Sequence, residues 1–241
     1  MRKIKKDYTG IITSLKNIAL NTFEMKIESK LDSCTSGQFI SILCPNKTLR
    51  RPFSISNFEN GIITILFKLK GEGTDYLKKL NIGDKIKFLA PLGNGFNNFG
   101  SNCLLVGAGI GIAPMLFLKK ELNEKGIKNY LISGFKEQNE IIAGSDENVI
   151  GGSVLDKIEK LIEEKNIDSI YSCGPTIVLK KLSKIAQDKN IPCYIAMERV
   201  MACSIGVCRG CVIRLKKDED VIYGSVCEDG PVFKGEDIVW D

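Results

Sequence analysis

The sequence predicts an α+β multidomain chain: an antiparallel β-barrel over 1–98, an α/β domain on a parallel sheet over 99–197, and a small C-terminal lobe over 198–241. Short β-type runs separated by turn residues fill the first part, strands and helices alternate in the second, and closely spaced cysteines mark the third. At 241 residues, 44% hydrophobic and 26% charged, the chain has ordinary globular composition and can bury a sizeable core.

In the first part the runs 8–13, 22–28, 38–44, 54–57, 62–70 and 85–89 are mostly apolar or alternate with a period of two. Only 74–80 reads as a short helix, so these strands are expected to pair antiparallel and close on themselves, which removes exposed edges. From 102 to 197 the rhythm changes: strands at 104–107, 130–133, 169–173 and 194–197 alternate with helices at 113–125, 154–165 and 176–189. That alternation implies a parallel sheet covered by helices. The lobe carries two further β runs, 212–216 and 221–226.

The lobe also holds Cys203-x4-Cys208-x2-Cys211-x15-Cys227, the ligand spacing of a plant-type [2Fe–2S] centre. Three thiols within nine residues converge only if the backbone loops around them, and Gly206 and Gly210 offer the freedom to do so. Zinc held by four thiolates, or a disulfide, is the competing reading. A structural zinc site more often uses two Cys-x2-Cys knuckles, whereas only Cys208 and Cys211 form one here. The chain has no histidine, which excludes a Rieske centre, His-ligated haem and a Cys2His2 finger and suits triad hydrolysis poorly.

Nine cysteines and no charged-then-apolar N-terminal signal point to the reducing cytoplasm, and most of the five cysteines outside the lobe, Cys34, Cys44, Cys103, Cys173 and Cys193, read as small buried hydrophobes. A net charge of +5 forms no basic stripe, so nucleic acid is not an expected partner, and the basic run at 2–6 reads as a solvated terminus. The uncharged stretch 88–118 is broken by glycine, proline and asparagine, so no membrane span is expected.

In the α/β part, Gly107-x-Gly109-x-Gly111-x-x-Pro114 stands between a strand and a helix, where a dinucleotide's pyrophosphate can lie on backbone N–H groups. The spacing departs from Gly-x-Gly-x-x-Gly, and tight strand-to-helix packing explains these glycines nearly as well. A second elbow, Cys173-Gly174-Pro175, ends a neighbouring strand, and two such elbows would line one crevice. In the barrel, Arg51-Pro52-Phe53-Ser54 offers a guanidinium for phosphate and a hydroxyl for a ring edge; a surface turn is the plain alternative. Leu66-Phe67-Lys68 then runs into Gly73-Thr74, where Thr74 is expected to cap the following helix and make a second phosphate-binding terminus.

Arg-Pro-x-Ser on a barrel, then Gly-x-Gly-x-Gly-x-x-Pro, then Cys-Gly-Pro, resembles the ferredoxin–NADP reductase superfamily over 7–197. With the cysteine loop and the following Cys227-Glu-Asp-Gly-Pro, the whole chain resembles the electron-transfer subunits of class 1B dihydroorotate dehydrogenase. Ser204 stands where that family usually has glycine.

The resemblance implies FAD contacts from Arg51, Pro52, Phe53, Ser54, Leu66, Phe67, Lys68, Gly73 and Thr74, and cluster ligation by Cys203, Cys208, Cys211 and Cys227. It implies NAD at Gly107, Gly109 and Gly111 and at Cys173, Gly174 and Pro175, with Phe135-Lys136 toward the adenosine ribose; Lys136 also suits a 2′-phosphate. The implied activity is passage of electrons from a partner FMN subunit that oxidises dihydroorotate, through [2Fe–2S] and FAD, to NAD+ in pyrimidine biosynthesis. Two copies of each chain would form a heterotetramer, and no side chain here need act as nucleophile or acid–base catalyst. An NAD(P)H flavin reductase serving ferredoxin, sulfide dehydrogenase or an oxygenase would share fold and cofactors. A zinc-stabilised scaffold without redox chemistry is the alternative outside enzymes.

Overall fold

The structure is a computed structural model and describes residues 6–45 and 47–240. All but Lys6 of the basic N-terminal run lies outside the described residues.

Six strands build the barrel: β1 (Lys6–Ala19), β2 (Thr22–Glu28), β3 (Phe39–Ile42), β4 (Arg51–Glu59), β5 (Ile62–Lys68) and β6 (Lys85–Leu92), with α1 (Glu72–Lys78) after β5. They close in the order β1-β2-β5-β4-β3-β6, every neighbouring pair antiparallel. The interior is mostly branched and aromatic: Ile12, Met25, Ile27, Ile40, Ile55, Ile63, Ile65 and Phe88 are all sealed from solvent. β1 is longer than its apolar pattern at 8–13 because irregularities at Ile12/Ser14 and Asn17/Ala19 bend it, so its first half pairs with β6 and its second with β2. β4 begins at Arg51 rather than 54; Pro52 reads as a breaker but is tolerated at the start of a strand.

The second part comprises β7 (Asn102–Ala108), α2 (Ile112–Glu124), β8 (Lys128–Phe135), β9 (Glu147–Ile150), α3 (Ile158–Lys165), β10 (Ser169–Cys173), α4 (Thr176–Asp188) and β11 (Cys193–Ala196). The lobe adds a hairpin, β12 (Val212–Lys217) and β13 (Asp220–Ser225), and then β14 (Val232–Lys234). The sheet runs β14-β11-β10-β7-β8-β9; β7, β8, β10 and β11 are parallel as expected, and β9, which the sequence did not announce, adds a further parallel strand beside β8. Its outer edge differs from expectation, because β14 leaves the lobe and pairs antiparallel with β11. The expected helix at 154–165 is divided: Ser153 Oγ accepts from the Leu155 N–H at 3.2 Å to start a tight 3-10 turn, and α3 begins only at Ile158.

α2 fills the seam between barrel and sheet. Its Glu121 accepts from the Ser36 N–H at 3.0 Å and the Ser36 hydroxyl at 2.7 Å, and its Lys120 reaches Asn57 and Glu59 of β4. The lobe has no separate core: Cys211, Ile213, Val226, Cys227, Phe233 and Ile238 share one apolar cluster with β10, β11 and α4. Barrel, sheet and lobe are thereby held in fixed relation, and the carboxyl ends of the parallel strands face the β4–β5 side of the barrel.

Candidate functional site

An open cleft of about 280 Å³ lies at this junction. Its barrel wall is Pro52, Phe53 and Ser54 of β4, Leu66, Phe67 and Lys68 of β5, Lys70 and Thr74. Seven of the nine expected FAD-contact residues therefore meet around one space. Arg51 and Gly73 instead touch each other beside it: a Cβ on Gly73 would fall 2.6 Å from Arg51 Nε. Arg51 also donates from Nη1 to the Leu49 carbonyl at 2.6 Å, which lays the guanidinium over the start of α1. Thr74 is not the helix cap that was expected. Gly71 holds that position, and Thr74, inside the first turn, accepts at Oγ1 from the Lys70 and Gly71 N–H groups and donates to the Gly71 carbonyl.

The opposite wall is Ile110 and Ala113 from the first glycine elbow, together with Met197, Glu198, Arg199, Met201 and Pro231. The segment from Met197 to Met201 escaped sequence reasoning because it has neither regular structure nor a recognisable motif. Its one signal was its place after the last parallel strand, at the end where such sheets bind ligands. Glu198 opens onto the cleft, yet protein crowds its carboxyl enough to push the pKa up from 4.5, with Lys70 partly offsetting this.

The two elbows interlock. A Cβ on Gly111 would lie 2.2 Å from the Cys173 carbonyl oxygen, and one on Gly174 would lie 2.7 Å from Ala108 Cβ. A Cβ on Gly107 would approach Ile112 Cα to 2.8 Å. Packing therefore accounts for Gly107, Gly111 and Gly174. Gly109 differs: its φ is +56°, and nothing lies within 4 Å of where a side chain would begin, so its backbone faces open space just before α2. Cys173 is buried, and desolvation, with the nearby Glu198 adding to it, holds its thiol neutral; it lies behind the cleft lining rather than in it. Pro175 caps α4. Lys136 donates its N–H to Glu140 Oε2 at 3.2 Å, and Glu140 also pairs with Lys68 across the seam at 2.5 Å.

In the cysteine loop, backbone reversal falls on Ser204 (φ +61°), Gly206 (+83°) and Arg209 (+53°), so two non-glycine residues of the loop take the left-handed conformation and Gly210 does not. Every one of the four sulfurs accepts a backbone N–H. Cys203 takes those of Ile205 and Cys208, each at 3.4 Å; Cys208 takes Gly210 at 3.4 Å; Cys211 takes Cys227 at 3.5 Å; Cys227 takes Gly206 at 3.1 Å. Burial would raise the Cys203 thiol, but these N–H groups and Cys208 outweigh it and bring the pKa down to about 7. Burial beside Cys211 pushes Cys227 up to about 12.

The thiols meet as two pairs. Cys203 and Cys208 hydrogen-bond to each other, and the sulfurs of Cys211 and Cys227 stand 3.2 Å apart, well beyond the ~2.05 Å of a disulfide. All nine cysteines are free. Among the described residues no three candidate ligands converge on a single point. One tetrahedral zinc needs four ligands around one ion, whereas a [2Fe–2S] cluster takes two thiolates at each of two irons. The paired arrangement fits the binuclear group.

Comparison with known proteins agrees with this geometry. Residues 198–239 match the family described as the iron–sulfur cluster binding domain of dihydroorotate dehydrogenase B. The dihydroorotate dehydrogenase B (NAD(+)) electron transfer subunit of Caldanaerobacter subterraneus subsp. tengcongensis is 38% identical, over 95% of this chain and 97% of its own. The chain belongs to the family of dihydroorotate dehydrogenase B electron transfer subunits. Other members of this family, from Fusobacterium nucleatum and Bacillus pumilus, are each 36% identical and cover 92% and 98% of the chain, and 94% and 98% of their own length. Among solved structures, an NADH-dependent reduced ferredoxin–NADP oxidoreductase superposes with a TM-score of 0.85 at 28% identity, over 96% of this chain and 90% of that one. The ferredoxin–NADP+ reductase of Plasmodium falciparum, at 17% identity and a TM-score of 0.61 over 76% of this chain and 90% of its own, shares the fold. The matched stretch begins at Glu198 in the cleft wall and includes the cysteine loop.

Proposed function

We propose that this chain is the electron-transfer half of an NAD-dependent dihydroorotate dehydrogenase, handing electrons from a partner subunit's FMN through [2Fe–2S] and FAD to NAD+ for pyrimidine biosynthesis. The observation that carries this reading is continuity: the chain that walls the cleft through Met197, Glu198, Arg199 and Met201 enters the paired cysteines at Cys203 without leaving the junction.

When bound, FAD supplies the conversion between single electrons and hydride, and the cluster carries single electrons. Pro52, Phe53, Ser54, Leu66, Phe67, Lys68 and Thr74 would form the flavin bed, with Arg51 held against Gly73 to meet phosphate. Gly109, open and at a helix N-terminus, would take the pyrophosphate of NAD, while Gly107, Gly111, Cys173, Gly174 and Pro175 shape the elbows that bring nicotinamide to the cleft. Cys203 and Cys208 would hold one iron, Cys211 and Cys227 the other, and the five N–H···S bonds would stabilise their thiolates. The chain thus positions these groups; it donates no reacting side chain.

Cys208 is exposed, and beside it Val207 is 77% exposed, while the Tyr223 carbonyl accepts from Arg209 Nη2 at 3.1 Å with its own ring exposed. Apolar groups left in water around a cluster ligand suit a protein partner, here the FMN subunit, with two of each chain in the assembly. Free thiols throughout suit the cytoplasm. Among the described residues no helix is long and apolar enough to cross a membrane.

The likeness to a ferredoxin–NADP oxidoreductase favours a second reading, a reductase that serves ferredoxin. Co-expression with an FMN-containing dihydroorotate-oxidising subunit separates the two. The first reading expects a stable complex that reduces NAD+ with dihydroorotate. Ferredoxin reduction by NAD(P)H, with no such complex, supports the second.

A further inference from the structure

Two barrel residues reach into the lobe beside thiols of different pairs. Ser41, on β3, donates its hydroxyl to Ser204 Oγ at 2.9 Å, and the two residues are 0% and 1% exposed. Ser204 directly follows Cys203 and holds a left-handed backbone that glycine would adopt without strain, so its side chain is retained at a conformational cost. Asn94, just past β6, donates from Nδ2 to the Glu228 and Asp229 carbonyls at 3.1 Å each and from its N–H to the Gly230 carbonyl at 2.6 Å. That fastens the turn immediately after Cys227. Ser41 in turn lies opposite Pro52 in the β3–β4 register, so the strand bearing the cleft wall is one residue pair away from the cysteine loop. Among the described residues, barrel and lobe share no strand pairing beyond the single bridge at Asn94 and Pro231. Side chains, not sheet hydrogen bonds, therefore carry most of the alignment.

We propose that Ser41 and Asn94 are positioning residues that clamp the cysteine loop from two sides and set the gap between the cluster and the flavin cleft. The inference rests on the function proposed above. In each transfer the reduced cluster loses one electron and the flavin gains it; no atom passes through either clamp residue, and their effect is on distance and rigidity alone. Tunnelling falls steeply with distance, so a small shift of the loop slows transfer while leaving both cofactors bound.

The test uses the full chain loaded with FAD and cluster, comparing wild type with Ser41→Ala, Asn94→Ala and Ser204→Gly. Iron and flavin content and NADH oxidation by a flavin-directed artificial acceptor are expected to stay at wild-type levels. Reduction of the cluster by NADH, followed by stopped-flow absorbance, is expected to slow on the order of tenfold or more. The relaxation enhancement of the flavin radical EPR signal by the reduced cluster is expected to weaken. Ser204→Gly relieves the left-handed backbone but leaves the buried Ser41 hydroxyl without this partner, so it is expected to change thermal stability little while slowing transfer, a split that a purely structural contact would not produce. Wild-type transfer rates and relaxation in the loaded variants would overturn the inference and leave the proposed function intact. Loss of iron from all three would also overturn it, since the contacts would then serve retention and not placement. A wild-type chain that binds neither cofactor would overturn both.

Discussion

Gly111 and Cys173 occupy adjoining elbows so closely packed that a single added carbon on the glycine would fall 2.2 Å from the cysteine's carbonyl oxygen. Backbone, not a flexible side chain, stands in the way, so one strand end must move if Gly111 changes. The two elbows form one close-packed unit, beside which nicotinamide is proposed to lie.

Gly111→Ala is therefore expected to destabilise the chain by about 1–3 kcal/mol, as overpacking does. That corresponds to a fall of roughly 2–12 °C in Tm for a chain of this size. NAD(H) affinity should fall with it, while flavin content should not. Calorimetry and an NADH titration of the flavin-loaded protein check both effects. Gly109→Ala is the contrast: no neighbour obstructs a Cβ and only its left-handed φ of +56° resists alanine, so loss of NADH binding beyond that of the similarly strained Gly126→Ala, which also has no neighbour, would mark it as the pyrophosphate contact.

Arg51→Ala is expected to lower FAD occupancy by removing a charge-assisted phosphate contact, with Arg51→Lys restoring charge but not the planar fork. Gly73→Ala should act in the same direction, because its Cβ would press on Arg51 Nε and Cγ. Flavin-to-protein absorbance ratios after purification measure all three. Full flavin content in Arg51→Ala would move the phosphate site elsewhere.

In metal-free protein the backbone N–H groups of its loop and Cys208 bring the pKa of the Cys203 thiol down from 9.0 to about 7. Its alkylation rate should rise with pH through about 7 and fall away below about 6. Cys227, pushed up to about 12, should stay protonated and unreactive over the same range. Mass-spectrometric mapping of iodoacetamide adducts from pH 5 to 9 reads both sites. Equal reactivity of the two would contradict the N–H···S arrangement around Cys203.

Cys208→Ser should bleach the iron–sulfur absorption and stop electron flow to the partner. NADH oxidation by an artificial acceptor through FAD should continue. Parallel loss of both activities would place the cysteine loop on the path between NADH and flavin, contrary to this account.

Much of this was legible from local pattern. Period-two apolar runs marked the barrel strands, and cysteine spacing marked the lobe; of the two glycine elbows expected to line one crevice, only Ile110 and Ala113 of the first reach the cleft wall, and Cys173, Gly174 and Pro175 do not line it. What was hidden depends on contacts distant in sequence. β14 is three residues long, too short for a periodic signal, and only its pairing with β11 makes it part of the sheet. Ser153 and its 3-10 turn divide a helix whose apolar spacing runs on without a break. Gly206 and Gly210 both drew notice as turn glycines; Gly206 does reverse the chain, but the other reversals fall on Ser204 and Arg209 rather than Gly210, where the surrounding fold imposes a conformation that composition does not announce. Ser204 stood out only as a departure from glycine; its reason, the buried hydrogen bond to Ser41, spans 163 positions and lies beyond any local reading.

The most direct test of the central claim is iron, sulfide and zinc analysis of anaerobically purified protein, joined to EPR after dithionite reduction. The account predicts about two irons and two sulfides per chain, FAD alongside, and one reduced-cluster signal from a binuclear centre. Zinc at about one per chain, with no EPR signal after reconstitution with ferrous iron and sulfide, would contradict it.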